Sequence, residues 1–191
     1  MHSLFQMGWD KNLLRYINDR WHNDFFDWLM PWLRNMETWA PFYLFFLLYV
    51  LFNYKKTGWW WLLAAVCTPV ITDLVSSQVI KENIFRLRPC NDPGLASWLR
   101  FPEGIYRPQS SGFTSSHAAN HFGLAMYLFQ TLKSKIGKKA WFFFIWAASV
   151  CYAQIYIGVH YPIDILGGAL VGLIAGYTTS VIFIKTAKGL Q

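Results

Sequence analysis

The chain has 191 residues, a length that suits one domain. Hydrophobic residues make up 54% and charged residues only 14%, against the roughly one quarter usual in soluble domains, and aromatics reach 19% with 11 Trp; an ordinary soluble domain is excluded and an integral membrane protein is indicated. The net charge of +7 is distributed between apolar runs, not along one stripe with interleaved aromatics, so topology explains it and a nucleic-acid partner is not expected.

Residues 1–37 contain no uninterrupted apolar span. From Asp10 to Asn35 charges alternate with Leu13, Leu14, Ile17, Trp21, Phe25, Phe26, Trp28, Leu29, Trp32 and Leu33. This spacing suits amphipathic helices lying in the membrane interface, broken near Pro31, and the closeness of Asp24, Asp27 and Arg34 argues against a first transmembrane helix. Five spans follow, at Trp39–Tyr54, Trp59–Ile80, Ser115–Leu132, Ala140–Ile157 and Ile163–Ile184. A tight polar turn at Lys55, Lys56 and Gly58 separates the first two. Asp73 sits in the middle of the second, where a structural hydrogen bond to Ser or Thr of a neighbouring helix is expected. The predicted fold is all-α: a polytopic membrane helix bundle preceded by interfacial helices, a single domain over 1–191.

The lysines order the topology. Loops carrying Lys55–Lys56 and Lys133, Lys135, Lys138 and Lys139, with Lys185 and Lys188 at the C-terminal end, are expected on the cytoplasmic side. The amphipathic segment, the turn at 158–162 and the Pro- and Gly-rich loop 81–116 then share the outer face. Cys67 and Cys151 lie in apolar runs and Cys90 in the loop, so a disulfide framework is not expected, and no Cys spacing suits a metal. The N-terminus shows no cleavable-signal pattern, which leaves insertion to the internal segments.

Three segments on that outer face carry chemistry. Lys81 and Arg88 are seven residues apart, two turns along one side of a continued helix. Thr114-Ser115-Ser116-His117 opens the third span, where backbone N–H groups lack intrahelical partners and suit an anion. In the stretch Gln154-Ile-Tyr-Ile-Gly-Val-His160-Tyr-Pro-Ile-Asp164, a carboxylate one helical turn after an imidazole can hold one ring nitrogen and free the other. Taken alone, that pair also reads as an interfacial His with an Asp placed favourably at a helix N-terminus. Together the three segments offer cations, hydroxyls and two histidines, the means for phosphoryl transfer without a metal.

The three segments resemble the signatures of the type 2 phosphatidic acid phosphatase family. Lys, six residues, Arg-Pro is matched by Lys81-Glu-Asn-Ile-Phe-Arg-Leu-Arg88-Pro89. Pro-Ser-Gly-His is matched loosely by Thr114 to His117, and Ser-Arg, five residues, His, three residues, Asp by Ala153-Gln154 through His160 to Asp164. The resemblance implies that His160 is the nucleophile, oriented by Asp164. It implies that His117 protonates the departing lipid oxygen and then activates water. Lys81 and Arg88 would clamp the phosphate, with Ser115 and Ser116 completing the cradle and Gln154 standing where the family has a phosphate-binding Arg. Arg86 and Arg107 are the loop arginines available to replace that Arg. No metal or cofactor is implied. The substrate would be a lipid phosphate or pyrophosphate (polyprenyl pyrophosphate, phosphatidylglycerol phosphate or lipid A phosphate class), met in a bacterial cytoplasmic membrane at its outer, periplasmic face. No obligate protein partner is expected.

Two other functions stay open on the sequence: a lipid-to-lipid phosphotransferase, and a lipid-phosphate binding protein in which Gln154 has weakened turnover. Other residues have plainer readings. His121 belongs to a polar helix face, not a metal pair with His117; Trp59, Trp60 and Trp61 are interfacial anchors; Gly167, Gly168, Gly172 and Gly176 mark close helix packing. Asp92, Glu103 and Tyr106 are placed near a head group without an assigned role.

Overall fold

The structure, a computed structural model, describes residues 8–187. Residues 1–7 of the amphipathic segment and Lys188 lie outside the described residues. All regular elements among the described residues are helical. They are α1 (Gly8–Arg15), α2 (Asp24–Arg34), α3 (Ala40–Leu74), α4 (Ser116–Ile136), α5 (Phe142–Tyr156) and α6 (Pro162–Ala187).

The α1 helix ends in a wide turn over Tyr16–Arg20. The break before α2 falls at Trp21–Asn23, not at the expected Pro31, which lies inside α2. Asn23 explains it: its side chain accepts from Phe26 N at 3.0 Å and caps the new helix. The segment is two-sided. Trp9, Leu13, Trp21, Phe25, Trp28 and Trp32 are exposed, while Leu14, Ile17 and Met30 are buried in the core. It also carries two buried polar residues, Asp10 and Asn18, each 1% exposed.

Helical backbone in α3 is continuous, but the chain doubles back within it. A Cβ on Gly58 would stand 2.8 Å from Val50 O, whereas eight residues of straight helix span about 12 Å. The reversal therefore falls at the polar turn expected around Lys55, Lys56 and Gly58. The second arm ends in a wide turn over Val75–Ile80 that leads into Lys81.

Close contact between α4 and α6 organises the bundle. A Cβ on Gly168, Gly172 or Gly176 would collide with Ser115 O, Ala119 O or Gly123 O respectively, so only Gly lets the two backbones meet there. The opposite side of α6 exposes Leu166, Leu170 and Ile174. Such an apolar row would be a liability in water and is at home against lipid. Lys56–Ile80 and Pro162–Ala187 are each long and apolar enough to cross a bilayer. The other three expected spans do not reach that length and apolarity by themselves; α5, for example, has 15 residues.

Candidate active site

His160 sits in the turn between α5 and α6. Gly158 makes the turn with a φ of 82°, and the backbone N–H groups of Val159 and His160 donate to Gln154 O at 3.1 and 3.3 Å. Pro162 then opens α6 in the position that tolerates a missing N–H. Asp164 reaches back to accept from Tyr161 N at 2.9 Å, closing the first turn.

The imidazole is buried, and its two nitrogens face different neighbours. Arg88 Nη1 donates to Nε2 at 2.9 Å. A guanidinium can only donate, so Nε2 carries the lone pair and Nδ1 the proton. Nδ1 stands 3.5 Å from Asp164 Oδ2, an electrostatic contact lacking hydrogen-bond alignment. Burial, helped by the Arg88 charge and opposed by Asp164, pushes His160 from 6.5 down to about 4. At neutral pH it is an uncharged imidazole whose unprotonated Nε2 accepts from Arg88.

Arg88 is held by the loop as well. Its Nε donates to Ser110 O at 2.9 Å, and its Nη2 donates to Ser110 Oγ and Ser111 O at 3.1 and 3.2 Å. Lys81 Nζ donates to Ser116 Oγ at 2.5 Å, and burial lowers this lysine from its ordinary value, with Arg88 adding to the effect. Ser115 caps α4 by accepting from Ala118 N at 3.4 Å, while its own N–H donates to Asp164 O at 3.0 Å. The mouths of α4 and α6 are thereby tied together.

His117 lies one residue into α4. No hydrogen bond to its ring is formed among the described residues, and it lines an apolar cavity of about 960 Å³ between the two arms of α3, α4 and Trp146 of α5. Its charge and that of His160 act on each other. A second cavity, of about 390 Å³, is lined by the polar residues Ser77, Lys81, Glu82, Gln109 and Ser110 and by Phe85. Ser77 Oγ lies 3.2 Å from Ser116 Oγ, so the hydroxyl pair bridges the walls of the two cavities. The expected partners Lys81, Arg88, Ser115, Ser116, His117, His160 and Asp164 thus gather at one end of the bundle.

Several expectations change. Gln154 is buried, but neither end of its amide has a partner. Neither candidate replacement fills in for it. Arg86 Nη1 and Nη2 donate at 2.5 Å to Asp164 Oδ1 and Asp10 Oδ2, and Arg86 stacks 4.0 Å from the Tyr161 ring. Arg107 donates to Cys90 O at 2.9 Å and lies over Phe101. His121 is not on a polar face; it is buried against Trp146, with Nδ1 2.8 Å from His117 O. Asp73 accepts from Ser77 at 3.3 Å on its own helix, not from a neighbouring one. Asp92 accepts from Tyr161 Oη at 3.1 Å. The three cysteines are free.

Asp10 was not anticipated. Besides Arg86, it accepts from Ile163 N at 2.9 Å and so caps α6 from the far end of the chain. A sequence signal existed, because Asp10, Leu14 and Ile17 share one helix side, the side that becomes core.

The bundle brings two histidines, a basic pair and a serine-capped helix mouth to one end, and comparison with known proteins places the chain among the membrane phosphatases. Residues 58–187 match the PAP2 superfamily, and the chain belongs to that family. It is similar to the lipid A 4'-phosphatase of Bacteroides thetaiotaomicron, with 31% identity over 95% of this chain and 80% of that protein. The lipid A 4'-phosphatase of Porphyromonas gingivalis is 30% identical over 77% of this chain and 61% of its own length. Among solved structures, Aquifex aeolicus LpxE superposes with a TM-score of 0.60 at 24% identity, over 94% of this chain and 97% of that one. The transmembrane PAP2 type phosphatidylglycerolphosphate phosphatase of Bacillus subtilis gives 0.66 at 20%, over 96% and 90%. At these identities the two structures speak for the fold.

Proposed function

We propose that the protein removes a terminal phosphate from a lipid phosphate, of the lipid A 4'-phosphate class that its relatives' names point to, through a phosphohistidine. His160 Nε2 attacks phosphorus, the bond from phosphorus to the lipid oxygen breaks, and His117 in its protonated form gives that oxygen its proton. Water then loses a proton to His117 and attacks, the P–N bond breaks, and inorganic phosphate leaves. Lys81, Arg88 and the backbone N–H groups at Ser115 and Ser116 take up the oxyanion charge, while Asp164 holds the Nδ1–H tautomer. The step takes no metal.

The observation that carries this reading is the Arg88–His160 contact, which leaves Nε2 as the unprotonated nitrogen directly beside a phosphate-binding guanidinium. The apolar cavity ending at Ser116 and His117 supports it, since acyl chains fit there while the phosphate meets the polar end. The chain, residues 1–191, works as one membrane-embedded domain, with the loop 81–116 on the periplasmic side of a bacterial cytoplasmic membrane. Phosphate release from a panel of lipid phosphates tests the reading: His160→Ala is expected to abolish it for every lipid. Release at the wild-type rate by that variant would overturn the mechanism, and release that collapses on chelation would overturn its metal-free part.

A further inference from the structure

The third signature places Gln154 where the family has an arginine, and both loop arginines near the site are engaged elsewhere. Arg34, the last residue of α2, is placed to fill the gap. Its Nε is buried without a hydrogen-bond partner, and no ion pair holds it among the described residues. A buried guanidinium N–H without an acceptor is rare, and an anion is the group that would satisfy it.

Neighbouring residues fix where Arg34 lies. Met30, one turn earlier, is buried in a cluster with Cys90, Val159 and Tyr161, and Leu33 packs onto the same cluster. Met36, two residues later, lines the apolar cavity whose wall includes Ser116 and His117. Trp39 Nε1 donates to Leu33 O at 2.9 Å and holds this end of α2 against the start of α3. Arg34 is therefore bracketed by residues on two sides of the phosphate site. Its charge acts on Arg88, on Cys90 and on His117. Like charges held together in this way disfavour one another unless an anion sits between them.

We propose that Arg34 supplies the phosphate-binding guanidinium that Gln154 lacks, delivered from α2 instead of α5. This rests on the phosphate-cleaving reading of the site. With Lys81 and Arg88 it makes a third cation around the phosphate, and it gives the amphipathic segment a role in substrate binding.

The experiment uses the full chain in detergent micelles. Lipid-phosphate release and its inhibition by inorganic phosphate are measured for the wild type, Arg34→Gln, Arg34→Lys, Gln154→Arg and the double variant Arg34→Gln with Gln154→Arg. Arg34→Gln is expected to lower turnover about 10²–10³-fold, as loss of an oxyanion donor does, and to weaken inhibition by phosphate. Arg34→Lys keeps the charge but loses the fork, and recovers part of both. The double variant recovers turnover, because the guanidinium returns from the family position. An Arg34 that merely anchored α2 would show no such rescue, and that result overturns the proposal. So does wild-type phosphate inhibition in Arg34→Lys and Arg34→Gln alike; Arg34→Lys serves alone where the glutamine variant does not fold. A wild type that releases no phosphate from any lipid overturns the functional reading itself, whereas an active wild type indifferent to Arg34 overturns only this inference.

Discussion

Arg86 Nη1 donates to Asp164 Oδ1 at 2.5 Å, and neither side chain is more than 5% exposed. Asp164 is thus held by two forces: Arg86 on Oδ1, and Tyr161 N with His160 Nδ1 on Oδ2. Asp10 takes the other side of the guanidinium, so one buried cation sits between two carboxylates. The group sets the rotamer of the residue that sets the histidine.

Removing Arg86 should therefore do more harm than removing an exposed cation. Arg86→Ala leaves two buried carboxylates without the guanidinium that bridges them, a change that costs about 3–5 kcal/mol when one partner of a buried pair is lost. Thermal unfolding in detergent should show this loss. Asp164→Asn should fold but lose turnover on the order of 10⁴-fold, because an amide no longer selects the Nδ1–H tautomer. Equal losses of stability in the two variants would contradict this division of roles.

The pH dependence follows from the buried imidazole. With His160 lowered from 6.5 to about 4, its neutral form predominates above pH 4, so for the proposed His160 nucleophile the acid limb in kcat/KM should lie near 4. The unfolded chain binds the proton more readily, so this residue's contribution to stability is complete above about 6.5 and is lost as pH falls through 4. Arg88 lowers this pKa, and Arg88→Gln should raise it. NMR titration of the His160 ring protons in both proteins checks the direction; an unchanged or lower value in the variant would contradict it.

Much of the site could be read from the sequence, because its chemistry lies in short spacings. One turn sets His160 against Asp164, but the helical spacing expected of Lys81 and Arg88 does not hold: the helix ends at Ile80, residues 84–88 are not helical, and Arg88 reaches the site on extended backbone ahead of Pro89. What could not be read depends on partners far apart in the chain. Asp10 and Arg86 are 76 residues apart, and Asn18, which donates to Arg100 O and Tyr156 O at 2.8 and 2.7 Å, has partners 82 and 138 residues away. Periodicity says which side of a helix is apolar but not what that side meets. Alternating charge and bulk in the first helices therefore read as an interfacial surface, although Asp10 reaches Arg86 and the first turn of α6. The end of α2 was hidden for the same reason, and Pro31 misplaced the helix break because a well-placed cap at Asn23 competes better than a proline inside an otherwise apolar turn.

Close packing of α4 on α6 carries the next prediction. Gly168 and Gly172 leave no room for a Cβ against Ser115 O and Ala119 O. Gly168→Ala and Gly172→Ala should each lower stability by about 1–3 kcal/mol, the usual result of overpacking. Gly168→Ala should also impair catalysis, because Ser115 O accepts from Ala119 N at 3.0 Å in the first turn of α4, where Ser116 and His117 are set. Gly172 is a turn deeper, and its variant should retain a larger share of its turnover per folded molecule. Thermal unfolding together with turnover normalised to folded protein separates the two effects.

The apolar cavity allows chain binding to be tested apart from chemistry. Ala65 of the second arm of α3 and Leu124 of α4 line the cavity, as do Ser116 and His117 at the mouth of α4. Ala65→Trp puts an indole into space that an acyl chain would occupy but adds nothing to Lys81, Arg88 or His160. If the lipid enters there, KM for a long-chain lipid phosphate should rise at least ~10-fold, in line with about 0.8 kcal/mol for each buried methylene displaced. Hydrolysis of a small water-soluble phosphate monoester, which needs only the polar end, should stay within about twofold of the wild type, since a change confined to binding leaves the chemical step alone. A parallel fall for both substrates would mean that the indole disturbs the histidines, and an unchanged KM for the lipid would place its chains outside the cavity. The contrast between the two substrates is thus the sharper measure, because a general loss of folded protein lowers both rates together and cannot produce it.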